Sequence, residues 1–189
     1  NAGSALAADQ SAGMAMLVTH IGAAAGSLSW MAREWMKQGK PSVLGIVTGM
    51  VAGLGTITPA SGFVGPIGAL IIGISAGFVC YEAPQYIKTV LKIDDSLDVF
   101  LVYGVGGILG TILTGIFASA SYGGMGLDNS IGNQVFIQII GVLFTIVWCG
   151  FFTFIILKFV DNLLGLRISD VQEETGIDLT EKCTKVYNS

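Results

Sequence analysis

The sequence predicts an all-α integral membrane protein, a polytopic bundle of five transmembrane helices, and three observations carry that prediction. Apolar residues make up 52% of the 189 residues and charged residues only 12%, against about 25% charged in a soluble domain. Mean hydropathy is +0.73. The apolar residues collect in five stretches, at about 12–36, 42–58, 65–83, 97–121 and 134–164. Most of these approach the roughly 20 residues that cross a bilayer as a helix. The basic residues, finally, fall only on alternate connections.

The first stretch, 12–36, ends among Arg33, Lys37 and Lys40, and holds His20, the single histidine. An ionisable residue at that depth is a candidate for function. The plainer reading is an imidazole that hydrogen-bonds a neighbouring backbone group or hydroxyl and holds two helices together. The second stretch, 42–58, is the shortest and predicts a thin or tilted crossing. Pro59–Val64 follows it without a basic residue. The third, 65–83, leads to Lys88 and Lys92. The fourth, 97–121, begins beside Asp94, Asp95 and Asp98, and the connection after it, Tyr122–Asn133, again lacks Lys and Arg. Carboxylates in a first helical turn are favoured by the exposed N–H groups there, so capping accounts for part of this trio. The alternative places one of them at the mouth of a cation pathway.

The fifth stretch, 134–164, is the longest and must tilt or project from the bilayer. Lys158, Arg167, Lys182 and Lys185 lie at or beyond its end. Short loops rich in Lys and Arg stay cytoplasmic. The expected topology therefore has the N-terminus outside the cell membrane and the C-terminus in the cytoplasm. Residues 1–166 would form the bundle, and 167–189 a cytoplasmic tail. The chain opens on Asn1 rather than Met, with no signal peptide before it, and reads as the end of a longer protein.

Glycine, 27 residues in all, is ordered along these stretches. Gly22 and Gly26 lie four apart, as do Gly45, Gly49 and Gly53. Gly65, Ala69, Gly73 and Gly77 repeat the spacing, and so do Gly106 and Gly110. Spacing of four places each series on one helix face, where missing side chains let backbones approach. One such pair means only helix packing. Four stretches together predict a tight bundle that suits a narrow channel or transporter.

Other classes have little support. No nucleophile–base pair, HExxH or Walker motif occurs, and Gly104–Gly107 sits inside an apolar helix rather than before one, so an enzyme is not expected. Cys80, Cys149 and Cys183 are dispersed and form no CxxC or Cys/His cluster, so neither a metal nor another cofactor is predicted. The basic residues are too scattered to bind nucleic acid.

Several strings are similar to the ammonium transporter family, the Amt/Mep/Rh group. They are NAGSALAAD (Asn1–Asp9), GKPSVLGIVTGMVAGLGTITPASGFVGPIGALIIG (Gly39–Gly73), DDSLDVFLVYGVGGILGTILTGIFA (Asp94–Ala118) and LKFVDNLLGLRIS with the acidic tail after it. The resemblance covers essentially the whole chain. It implies the seventh to eleventh spans of an eleven-span fold, in a homotrimer with one pore per subunit and ammonium or ammonia as the substrate. The family's topology agrees with the one the Lys/Arg asymmetry gives.

Carried onto this sequence, the resemblance implies that Ser4 matches a serine whose hydroxyl helps recruit ammonium at the outer mouth. Asp95 and Asp98 match acidic residues at the inner end of the helix that bears a pore histidine. That histidine, in the string V-H-G-V-G-G, is here Tyr103, between Val102 and Gly104. Imidazole relays protons near neutral pH. A phenol holds its proton through that range and is bulkier. Two outcomes stay open: slower transport past Tyr103, or a transport-impaired relative that senses ammonium. A different substrate and a nonfunctional sequence are the lesser alternatives. The tail carries Gly165–Arg167, Glu173, Glu174, Gly176, Asp178 and Tyr187 of a region that meets a PII-type regulator. Its usual HGE triplet reads Lys182-Cys183-Thr184, and a signalling domain fused after Ser189 is the alternative.

Overall fold

The computed structural model describes residues 1–87 and 98–167. The described residues are helices and connecting turns: α1 (Gln10–Gln38), α2 (Val43–Ile57), α3 (Pro66–Tyr86), α4 (Val105–Phe117) and α5 (Ile131–Leu164). A π-helical turn, Phe100–Gly104, runs directly into α4. Packing divides the chain into two compact units, Asn1–Val142 and Leu143–Ser189. Each predicted stretch became a helix, with ends moved by a few residues.

Local chemistry explains the boundaries. Asp9 caps α1 by accepting the Ala12 N–H at 3.1 Å, and Gly39 ends it at φ 76°, its N–H donating to the Trp35 carbonyl. That left-handed position favours glycine. Ser42 opens α2 by accepting the Gly45 N–H at 2.9 Å. Pro66 stands in the first turn of α3, where a missing N–H costs nothing.

Among the described residues, α1, α3, the π turn with α4, and α5 are long and apolar enough to cross a membrane, whereas α2 is a shorter apolar helix. At 15 residues it covers about 22 Å, less than the roughly 30 Å hydrocarbon core. Tilt would shorten that reach, not extend it. The chain continues inward as a hydrogen-bonded turn, with Ala60 N–H donating to Ile57 O at 2.9 Å and Phe63 N–H to Ala60 O at 2.8 Å. Ala60, Ser61 and Val64 are buried. Gly62 and Phe63, between them, are exposed.

The glycine series meet one another. A Cβ on Gly26 would stand 2.5 Å from Gly49 O and 2.8 Å from Gly53 Cα. One on Gly73 would meet Gly22 O and Ala25, and one on Gly77 the Ser29 hydroxyl and Gly26 O. Thus α1 lies with its glycine face against both α2 and α3. Gly106 and Gly110 bring α4 onto Thr56 of α2. Apolar side chains fill the space between: Val18, Ile57, Ala60, Val64, Ala69, Ile72 and Phe117 in one cluster, and Trp30, Ala52, Cys80, Tyr81 and Val102 in the other. Close van der Waals packing of this kind is what holds helices together where lipid removes the usual hydrophobic drive.

The two ends of this unit differ in charge. The connections without basic residues touch: Met125 N–H donates to Phe63 O at 2.9 Å, and Gly65 lies against Gly123. At the far end of α1, Arg33 Nε and Lys37 Nζ both donate to Glu82 of α3, at 2.6 and 2.7 Å.

Glu34 sits beside that cluster but is 6% exposed. It accepts the Ser42 N–H at 2.9 Å and the Ser42 hydroxyl at 2.8 Å, and so fixes the turn into α2. Glu34→Ala should destabilise the protein by about 1–2 kcal/mol, because the Ser42 N–H and hydroxyl lose their acceptor while Ser42 itself stays open to water. Glu34→Gln, which keeps an acceptor oxygen, should cost less. Thermal unfolding of the detergent-purified protein checks the order.

The segment of α5 after Val142 carries a ladder of aromatic rings. Phe144 stacks on Trp148 at 5.8 Å, and Trp148 meets Phe152 at 4.6 Å.

Candidate functional site

Tyr103 stands in the π turn, where Val105 N–H reaches back to Phe100 O as well as to Val102 O. The added residue per turn re-aims the side chains, and such turns are frequent at functional sites. The Cys80 thiol donates to Val102 O at 3.8 Å, which ties the turn to α3, and Leu101 and Val102 are buried. The next residue points the other way: Tyr103 is 55% exposed. One edge of its ring lies against Gly55 of α2. Gly107, one turn on, faces open space. A rigidly held turn therefore presents a large phenol on an uncovered face of the unit.

Asp98 precedes this turn. Its carbonyl accepts the Val102 N–H at 2.9 Å, the position of a helix-capping residue. Its φ of 54° lies in the left-handed region, where Asp is among the better-tolerated residues. Asp94 and Asp95 lie outside the described residues.

Ser4 belongs to a short 3₁₀ turn, Ala2–Ala5, and is exposed, with its N–H donating to Asn1 O at 3.2 Å. The Asn1 side chain donates to the Thr19 hydroxyl at 2.9 Å and holds the turn to α1. His20 does not bridge helices through its ring nitrogen Nδ1. That atom lies 2.9 Å from Met16 O of the same helix, and the residue is exposed.

A cleft of about 420 Å³ opens between the end of α4 and the start of α5. Thr111, Thr114, Asp128, Gln134 and Gln138 give it a polar lining, with Pro59 and Phe63 on the other side. Thr111 and Thr114 donate to carbonyls one turn back, at 2.8 and 2.7 Å. Gln134 and Gln138 stand four apart, on one face of α5, and are the sequence signal that could have pointed to this cleft. Gly107 and Thr111 follow the same spacing along α4, and Thr111 reaches the cleft. Among the described residues no His, Cys, Asp and Glu side chains group to hold a metal ion.

The described geometry suits passage or binding of a small polar species beside α4. Comparison with known proteins gives the family. The model of the Ammonium Transporter Family matches residues 1–187. An ammonium transporter of Aquifex aeolicus is 44% identical over 189 residues, covering 100% of this chain and 44% of that protein. One from Bacillus subtilis is 40% identical over 99% of this chain and 47% of its own length. The chain thus spans less than half the length of these relatives. Among solved structures, a Sensor Amt Protein superposes with a TM-score of 0.87 at 30% identity, covering 96% of this chain and 44% of that one. Saccharomyces cerevisiae Mep2 does so with a TM-score of 0.79 at 36% identity, covering 89% and 41%.

Proposed function

The chain belongs to the ammonium transporter family and is a multi-pass membrane protein, and from that premise we propose that it supplies the last five spans of an eleven-span protein that carries ammonium or ammonia across the cell membrane. Its relatives are named as transporters, not enzymes. The observation that carries the proposal is Tyr103: the residue matching the family's pore histidine stands on an uncovered face of a well-packed half. In this reading that face meets the preceding half, since transporters of repeated architecture hold their pathway at the repeat interface. In this reading Asp98 lies toward the inner mouth and Ser4 toward the outer one, and Asp95 is carried over from the family pattern by sequence alone. The homotrimer and a PII-type regulator at the tail are carried over with the same reading.

Tyr103 decides how the pathway works. A phenol donates and accepts hydrogen bonds but holds its proton at neutral pH. It exchanges hydrogen bonds with the passing species and relays a proton less readily than a histidine pair would. Transport is therefore slow, and the ammonium-evoked current it carries is small. A second reading, ammonium sensing without net transport, draws on the same substitution and on the likeness to a Sensor Amt Protein. Ammonium-evoked current and ammonium binding, measured on one preparation of the complete protein, separate the two. Binding with current supports transport; binding without it supports sensing.

The proposed orientation has its own check. Single cysteines at Gly62 and Asn129, both exposed on connections free of basic residues, should react with an impermeant thiol reagent added outside intact cells. A cysteine replacing Lys40 should react only after the cells are opened. Inverted labelling would overturn the topology read from Lys and Arg.

A further inference from the structure

The glycines of α2 do not all serve the same purpose. Gly49 and Gly53 face α1, where an added Cβ would strike backbone atoms or the stem of Trp30, and Gly45 faces the Glu34 carboxylate. Gly55 stands two residues beyond Gly53, about 200° round the helix. The nearest backbone atom outside its own helix, Val102 O, is 3.9 Å from where its Cβ would be. Instead that position is 3.3 Å from Tyr103 Cδ1 and 3.6 Å from Cε1. Close approach of α1 therefore explains Gly49 and Gly53, and the Glu34 carboxylate explains Gly45, but neither explains Gly55. What occupies its missing side chain's space is the ring of Tyr103.

We propose that Gly55 is a positioning residue for Tyr103: the notch it leaves in α2 seats the edge of the phenol and so sets how far the ring stands out into the pathway. The inference rests on the transport reading for its consequence, though not for its geometry. An alanine at 55 asks the ring to give by a few tenths of an ångström. A valine extends about 1.5 Å further and displaces the ring. The π turn is held by Cys80 and the buried Leu101 and Val102, so the ring has one way to move, outward over the uncovered face. Bulk at 103 thus obstructs least when 55 is glycine, and the two positions act as a matched pair.

The test is a double-mutant cycle in the complete protein: wild type, Gly55→Val, Tyr103→Ala and the double variant, with Gly55→Ala as the graded case. Two readouts are taken, ammonium-evoked current and the midpoint of thermal unfolding in detergent. With Tyr103 present, Gly55→Val should cut the current by about tenfold and lower the midpoint, with Gly55→Ala between. In the Tyr103→Ala background the same valine should change neither. A Gly55→Val protein that misfolds alone but folds with Tyr103→Ala supports the pair equally. An equal loss in both backgrounds, or misfolding in both, would mean that Gly55 is an ordinary packing glycine. No effect in either would mean that the ring is not seated there. If wild type carries no current, the transport reading fails, yet the midpoints still decide the pair.

Discussion

Gly26→Leu should destroy the bundle. Its Cβ would fall 2.5 Å from Gly49 O and 2.8 Å from Gly53 Cα, and both are backbone atoms that cannot rotate away. Overpacking costs about 1–3 kcal/mol when side chains can yield. Here two helices must part, and α1 would leave α3 as well, since Gly77 rests on Gly26 O. The expected loss is about 3 kcal/mol or more, enough to prevent purification as a monodisperse species. Gly13→Leu is the control, because that position is exposed and an added Cβ there meets nothing within 4 Å. Size-exclusion profiles and unfolding midpoints of the two variants check the contrast. Comparable behaviour would remove glycine packing as the basis of the fold.

Tyr103→His should raise ammonium-evoked current, and by more than any other single change at this site. The substitution removes ring volume from the uncovered face and restores a group that takes a proton on one side and gives one on the other. The gain depends on a partner histidine in the preceding half. With the partner present, the expected rise is about tenfold, the scale on which one well-placed proton relay acts at its lower end. With the partner missing, a lone imidazole supplies half the relay and the rise should be small. Currents are compared on a supported membrane at equal protein loading. Equal currents with the partner present would show that Tyr103 is not what limits flux.

Periodic and compositional signals made the helices legible. Apolar runs placed all five, and four-residue glycine spacing named the faces on which α1, α2, α3 and α4 meet. Charge asymmetry separated the two ends of the bundle before any coordinate did. What stayed hidden depends on partners distant in sequence. Glu34 lies near the end of the first apolar stretch, and nothing in the sequence says that Ser42 turns back to bond it. Gly55 stood apart from the four-residue series and carried no signal, because a glycine's meaning lies in what sits opposite. The length of α2 was readable, but not that a bonded, partly buried turn prolongs its path. His20 suggested a link between helices, whereas its ring nitrogen Nδ1 lies against its own helix, as a polar side chain can do when the carbonyl four residues back is in reach.

The central claim, that ammonium crosses the membrane along the face bearing Tyr103, is tested most directly by radiolabelled methylammonium uptake into liposomes holding the complete protein. Uptake should exceed that of empty liposomes and be suppressed by added ammonium. It should also fall when Tyr103 is enlarged to Trp. Liposomes that bind ammonium through the reconstituted protein yet take up no more than empty ones would contradict transport. Uptake indifferent to Tyr103→Trp would contradict the pathway.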